Sequence, residues 1–230
     1  MEHFYKVNDR FLIAVDCIIF GFKENELCLL LVKRGFDPGK GEWSLAGGFL
    51  SKNESLNQAA GRVLKELTGL TDLFMEQVEA FGELDRDPGE RVVSSAYYTL
   101  INIEDYRQDL VNEFHTKWVD IKSIPQMVFD HNKMVDAALE RLRQKAVVQP
   151  VGFNLLPEKF TLTQLQRLYE AIYQREFDNR NFRKKFLGLH FIEKLSEKDK
   201  VSSKRGAFLY KFNQEKYNEA ITTGLNFVNN

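Results

Sequence analysis

Glu54, Arg62 and Glu66 stand in the most informative stretch of the chain, the run from Gly48 to Leu70. Hard cations such as Mg²⁺ and Mn²⁺ take several oxygen ligands, mostly carboxylates and waters. Acids three and four residues apart on a helix share one face and make one anionic patch. Here that patch holds Glu66, with Glu54 nearby. One or two carboxylates hold a hydrated ion weakly and do not fix a metal cluster. Leu56, Ala59, Ala60, Val63, Leu64 and Leu67 recur at helical spacing and form one apolar stripe. Val63 and Leu67 extend it, so core packing is their expected role. A helper acid such as Glu83, Asp85 or Glu90 is the route by which metal-assisted hydrolysis could survive, provided that it reaches the attacking water.

A second set of chemically capable residues lies near the other end. Arg180, Asn181, Arg183 and Lys184 sit on a short segment whose apolar positions, Phe182 and Phe186, fall on the other side. Arg grips guanine through two bonds and Asn does the same with adenine. Lys185, Lys204 and Arg205 suit phosphates. From residue 175 to 211 there are 11 basic and 5 acidic residues. These residues are expected to contact operator DNA. The competing reading is a solvated basic face on a module that binds protein.

A third set suits a small-molecule pocket. Asp16 interrupts the apolar run Ala14, Val15, Cys17, Ile18 and Ile19, and a buried carboxylate needs partners. Arg34 precedes a glycine-rich loop. Asp85, Arg86 and Arg91 flank the Pro88-Gly89 turn. With Glu66 these are the candidate effector-binding residues: Asp16, Arg34, Glu66, Asp85, Arg86 and Arg91. For Arg86 and Arg91 the competing reading is an ion-pair network with Asp85, Asp87 and Glu90 that stiffens the turn. His131 reads as a helix-start residue. No catalytic residue, resident metal or cofactor is expected.

These residues need elements to position them. Phe11 to Phe22 and Leu27 to Lys33 read as strands joined by a polar turn. Glu54 to Thr68 reads as a helix ended by Gly69. Strands follow near Met75–Leu84, Arg91–Ile103 and Thr116–Asp120, then a helix over His131–Gln144. Gln149 to Gly152 reads as a linker, which gives two modules, 1–149 and 150–230. In the second, Thr161 and Gln164 stand at capping-box spacing. Leu165, Leu168, Tyr169 and Ile172 continue at helical period. Asp178 is placed to cap a helix over Asn179–Leu187. Two β-like runs, Phe191–Leu195 and Ala207–Phe212, flank a polar loop. Helix, turn, helix and hairpin in this order read as a winged helix, whose second helix enters the major groove. Asn213 to Asn230 is polar and is expected to be partly disordered.

Composition sets the outer limits. The 230 residues are 43% hydrophobic and 28% charged, ordinary values for a folded domain. No apolar run reaches membrane-spanning length, and the first residues do not form a signal peptide. Cys17 and Cys28 make no disulfide framework and are expected as buried thiols in the cytoplasm. The four histidines are scattered, with no zinc-ligand spacing. The net charge of −1 hides an asymmetry. Residues 151–230 carry 14 basic and 9 acidic side chains, and residues 1–150 carry 18 and 24. An acidic module joined to a basic one suggests that the second faces a polyanion.

The Gly48–Leu70 stretch resembles the Nudix box, G-x5-E-x7-R-E-U-x-E-E-x-G-U, keeping Gly48, Glu54, Arg62, Leu64, Glu66, Gly69 and Leu70. In that family the metal-binding acids occupy the positions of Val63, Glu66 and Leu67, and the enzymes cleave diphosphates linked to another group. The resemblance implies an α/β Nudix sandwich over roughly residues 10–145 that has lost two of those acids. A degenerate Nudix domain followed by a C-terminal winged helix-turn-helix domain is similar to the NrtR-type Nudix-related transcriptional regulators. Asp85-Arg86-Asp87-Pro88-Gly89-Glu90-Arg91-Val92-Val93-Ser94, Phe129-Asp130-His131 and Gly206-Ala207-Phe208-Leu209-Tyr210 resemble segments of that family. Some of its members bind ADP-ribose and control NAD genes. A Bacteroidetes branch controls pentose use, arabinose especially, and the pattern here looks closer to that AraR-like branch. The resemblance implies a homodimeric regulator that senses a pentose or an ADP-ribose-like ligand. The alternative is an active hydrolase of ADP-ribose-like diphosphates with an accessory winged helix. An ADP-ribose would want Arg against its diphosphate. A free pentose would want carboxylates and amides against its hydroxyls.

Overall fold

The computed structural model describes residues 6–103, 115–200 and 206–222. It divides into two compact units. The first takes the chain up to Phe20, then Leu29–Thr99, and ends at Ala138. The second takes Gly21–Cys28, a short piece after Leu100, and everything from Leu139.

The first unit is built on a mixed sheet. β1 (Leu12–Lys23) and β2 (Glu26–Lys33) are joined through Glu24 and Asn25, whose φ angles are 52° and 70°. Two consecutive positive φ values are what a tight two-residue hairpin turn requires. β3 (Trp43–Ser44) pairs with β2, and β4 (Ala46–Phe49) pairs with β1. In the β1–β4 register Asp16 lies opposite Gly47 and Val15 opposite Gly48. α1 (Leu56–Thr68) follows. The helix starts two residues later than the expected Glu54, with Ser55 as its N-cap in a reciprocal capping box with Gln58. Gly69, at φ 74°, closes it and donates to Lys65 O. Ala59, Ala60, Val63 and Leu64 are fully buried, so the apolar stripe faces the core as expected.

β5 (Glu76–Phe81) and β6 (Val92–Asn102) pair antiparallel at the far edge, in the order β3-β2-β1-β6-β5, and β7 (Thr116–Asp120) pairs with β2. α2 (His131–Val148) is longer than its expected span to Gln144 and runs up to the expected linker at Gln149. Cys17 is buried, and Cys28 is only half-buried.

The second unit contains β8 (Phe160–Thr161), α3 (Leu162–Tyr173), α4 (Asn179–Leu187), β9 (Ile192–Asp199), β10 (Ala207–Phe212) and α5 (Gln214–Thr222). The capping box of Thr161 and Gln164 is present, and Asp178 accepts the Asn181 N–H. The strands form a three-stranded antiparallel sheet in the order β8-β10-β9. β8 was not expected, because two residues carry no readable alternation. β9 runs on to Asp199, through part of the expected loop. Pairing of Lys198 with Phe208 and of Asp199 with Ala207 extends it, while Lys194 Nζ and Lys198 Nζ lie 3.7 and 4.6 Å from the centre of the Phe208 ring.

α5 takes up Gln214–Thr222 of the polar stretch that was expected to be partly disordered. Asn213 Oδ1 accepts the Lys216 N–H, and the Tyr217 ring sits 5.4 Å from Phe191 and 5.6 Å from Phe212. A cap and two ring contacts of the half-buried Tyr217 turn a polar stretch into a helix.

Candidate ligand pocket and nucleic-acid interface

On α1 the surviving box residues bind one another. Arg62 donates to Glu54 Oε1 and Oε2 at 2.7 and 2.9 Å, to Glu66 Oε2 at 3.1 Å and to Phe49 O at 2.9 Å. The Arg62 hydrogen bonds, with the Ser51 N–H, hold the Glu54 carboxyl down at about 2. Bonding to Glu54 raises the Arg62 guanidinium in turn. Val63 is buried, and a Cβ on Gly48 would lie 2.8 Å from Val63 Cγ2. Gly48 thus lets strand β4 lie directly on Val63. Leu67 is half-buried. Two carboxylates already bridged by a guanidinium, beside an aliphatic pair, do not fit a Mg²⁺ or Mn²⁺ cluster. Among the described residues no group of three His, Cys, Asp or Glu is placed to hold a metal ion.

A cavity of about 70 Å³ opens above the β1–β4 contact. Its floor is a buried ionic cluster. Asp16 is 5% exposed. It accepts the Ser94 hydroxyl at 2.6 Å, and its carboxylate would meet a Cβ on Gly47 at 2.1 Å. Only glycine therefore fits opposite it. Arg86 is buried and makes a two-pronged bond to Asp130 at 3.0 and 2.8 Å. Its Nη2 is 3.8 Å from Asp16 Oδ2. His131 Nδ1 accepts the Leu45 N–H at 3.1 Å, which leaves Nε2 facing Asp16 Oδ1 at 3.6 Å. Burial pushes the His131 imidazolium down, opposed by Asp16. The neutral ring with its proton on Nε2 fits both contacts. At the mouth the Arg34 guanidinium lies 4.1 Å from the Phe36 ring and 5.1 Å from the Phe129 ring. Burial lowers its pKa, and the charges of Asp87, Asp16 and Asp37 oppose the shift.

Of the six expected pocket residues, Asp16, Arg34 and Arg86 come together on this cavity. Glu66, Asp85 and Arg91 are not on its wall. Glu66 is held by Arg62 on α1, and Asp85 is exposed. Arg91 donates to Glu83 O and Gly82 O at 3.0 and 2.8 Å, closing the loop between β5 and β6. The competing reading, an ion-pair network of Arg86 and Arg91 with Asp85, Asp87 and Glu90, is not what Arg86 forms. Arg86 reaches across 44 residues to Asp130, because a buried guanidinium needs a fully bonded carboxylate. Sequence reasoning missed Ser94, Asp130 and the placement of His131, although the Phe129-Asp130-His131 segment carried the signal.

In the second unit Phe182 and Phe186 pack on Tyr169, 5.9 and 4.9 Å between centroids. That anchors one side of α4. Arg180, Asn181, Arg183 and Lys184 are exposed on the rest of it. Lys194 and Lys198 add two exposed cations on β9. Two acids of the same strand are paired elsewhere, Glu193 with Lys211 and Lys216 and Glu197 with Lys159. Lys204 and Arg205 lie outside the described residues.

The fold and these sites define a Nudix domain followed by a winged helix. The NUDIX domain family matches residues 10–138 and the NrtR DNA-binding winged helix domain matches residues 152–212. The "ADPR responsive transcriptional repressor NtrR" of Acinetobacter baylyi is 33% identical over 210 residues, covering 90% of this chain and 84% of that protein. The "ADP-ribose pyrophosphatase" of Methanocaldococcus jannaschii is 33% identical over 124 residues, covering 54% and 70%. The structure of Shewanella oneidensis NrtR complexed with a 27mer DNA superposes with a TM-score of 0.78 at 29% identity, covering 90% of this chain and 95% of that one. This chain belongs to the Nudix family, among its NrtR-type members that join a Nudix domain to a winged helix.

Proposed function

We propose that the chain is a cytoplasmic, homodimeric transcriptional regulator. Residues 1–149 sense a ligand and residues 150–230 bind operator DNA. One observation carries this reading. The α1 face that would hold a catalytic metal is packed with Val63 and locked by Arg62, while α4 exposes Arg180, Asn181, Arg183 and Lys184. The ligand that the relatives support is ADP-ribose-like, since the Acinetobacter protein is described as ADPR responsive. Arg34 and Arg86 are the groups that would face its diphosphate. A ligand shifts operator affinity only if it binds the two arrangements of the dimer unequally, and a two-fold dimer reads a palindromic site. Gel shifts of the full chain on DNA from upstream of its own gene, with and without ADP-ribose, test this directly. Sequence-specific binding that ADP-ribose changes is the expected result. Absence of specific binding in every condition removes the regulator reading.

A second ligand reading, a free pentose such as arabinose in an AraR-like regulator, is favoured by the cavity itself. About 70 Å³ with Asp16, Asp87 and His131 beside the Phe36 and Phe129 rings suits sugar hydroxyls and C–H faces. Calorimetric titration with ADP-ribose and with L-arabinose separates the two. The hydrolase alternative has the Methanocaldococcus enzyme behind it. It predicts Mg²⁺-dependent cleavage of ADP-ribose that falls in Glu66→Gln.

A further inference from the structure

The second unit holds a cavity of its own. It measures about 410 Å³, within the size range of small-molecule sites, and all its lining residues belong to that unit. Its wall is aromatic: Tyr169, Tyr173, Phe177, Phe182 and Phe186. The rings brace one another, with Phe182 and Phe186 stacked at 4.3 Å and Tyr173 edge-on to Phe177 at 5.6 Å. Tyr173 Oη is already bonded to Arg143 O at 2.9 Å, so this ring offers the cavity carbon rather than its hydroxyl. Rigid rings braced in this way cannot collapse into the space, and their unmatched surface forfeits dispersion contacts.

The rim has the opposite character. Arg175 and Lys185 line it. The Arg175 guanidinium lies over both Tyr173 and Phe177, at 5.6 and 5.0 Å. In this unit Lys159, Arg167, Lys211 and Lys216 are among the cations paired with carboxylates. Among the described residues Arg175 and Lys185 make no salt bridge. The carboxylate at the rim, Asp178, is engaged as the cap of the Asn181 N–H at 2.8 Å.

We infer that this cavity is a second effector site, for a flat aromatic molecule carrying one anionic group. The ring lies against the aromatic wall, and the carboxylate, sulfonate or phosphate meets Arg175 and Lys185 through charge-assisted bonds. Asn181 and Lys185 belong to α4. An occupant therefore engages the helix that meets DNA and lowers operator affinity, a step that rests on the DNA-binding reading above.

Titration of the full chain with 2-naphthoate, in the absence of DNA, tests the site by itself. One naphthoate per chain is expected. Arg175→Glu and Lys185→Glu should each weaken it tenfold or more, and the neutral 2-naphthalenemethanol should bind at least tenfold more weakly than the acid. Ala146→Phe, which fills the lining beside the aromatic wall, should remove binding. If that variant fails to melt cooperatively, the two surface charge reversals decide the question. No saturable binding, equal affinity for the alcohol, or indifference to both reversals overturns the site. Gel shifts then test the coupling. Saturating naphthoate should weaken operator binding several-fold, and unchanged affinity overturns that step. A chain that binds no operator at all sinks the proposed function and leaves the titration standing as the test of the cavity.

Discussion

Both units concentrate charge at their candidate sites, but they place it differently. In the Nudix unit Asp16, Arg86 and His131 are each under 10% exposed, and Arg86 is bonded to Asp130. In the winged-helix unit Arg180, Arg183, Lys184, Lys194 and Lys198 are exposed, and among the described residues none has a carboxylate partner. Buried ions cost several kcal/mol each to desolvate and persist only when fully bonded. A cluster of this kind is preorganised and specific, and it can exchange partners with one entering ligand. Exposed, unpartnered cations cost almost nothing to hold in water. They attract a polyanion strongly through counterion release while carrying little information about which one. Selectivity for a small molecule thus fits the first unit and affinity for a long anion the second.

The sharpest test of this contrast is to remove one charge from the buried set. Arg86→Ala leaves Asp130 and Asp16 without their cation in a dry site, a loss of roughly 3–5 kcal/mol of folding stability. Arg91→Ala, four carbons of the same chemistry on the outside of the same loop, should cost less than about 1 kcal/mol. Urea midpoints measure both. Equal losses would show that the buried cluster is no more than a surface network.

The second test removes charge from the exposed set. Arg180→Ala and Arg183→Ala should each weaken operator binding by about 1–3 kcal/mol if they read bases, with urea midpoints unchanged. A fall in stability together with affinity would mean that these side chains hold the helix rather than the DNA.

The same contrast explains what the sequence disclosed. Apolar periodicity marks a face, so the burial of Val63 and the packing of Phe182 and Phe186 were readable from spacing. Local caps were readable too, as Thr161 with Gln164 and Asp178 show. Arg180, Asn181, Arg183 and Lys184 could be picked out because an exposed residue on a helix needs only its own helix to place it. The buried cluster could not be assembled in that way. Asp16, Ser94 and Asp130 are up to 114 positions apart in the numbering, and only the tertiary fold brings them together: Asp16 and Ser94 lie on the neighbouring strands β1 and β6, and Asp130 comes from the turn before α2. Arg91 and Asp85 were grouped with Arg86 because they adjoin it in sequence, yet neighbours on a loop point in different directions. β8 and α5 were missed because one is two residues long and the other is held by the tertiary contacts of Tyr217.

A third test uses pH to ask whether His131 belongs to the buried set. Burial pushes the native imidazole below the ordinary value of 6.5. As pH falls below 6.5 the unfolded chain takes up a proton that the native chain resists, so stability falls. The loss continues until pH passes the native value. Urea midpoints should therefore decline from pH 7 toward pH 5, and the decline should flatten in His131→Gln. The acids Glu54 and Glu193, both held at about 2, lose their contribution only as pH falls from about 4.5 toward 2, so they leave this window clear. An unaltered decline in the variant would assign the effect to another group.

The smallest effect falls on the wing strand. Lys194 and Lys198 share the Phe208 ring, at 3.7 and 4.6 Å, and an aromatic face holds an ammonium weakly enough to release it to a phosphate. If both contact the DNA backbone, two phosphate contacts disappear in the double variant Lys194→Ala/Lys198→Ala. The slope of log affinity against log salt should then become shallower by about 1.8, since each contact contributes about 0.9. Affinity should fall by a similar factor for specific and for unrelated DNA, because backbone contacts position the protein without reading sequence. An unchanged slope would place this face of the wing away from the duplex and leave α4 to carry the interface. A loss confined to the specific operator would move the two lysines from the backbone to the bases, which their strand position over Phe208 does not lead one to expect.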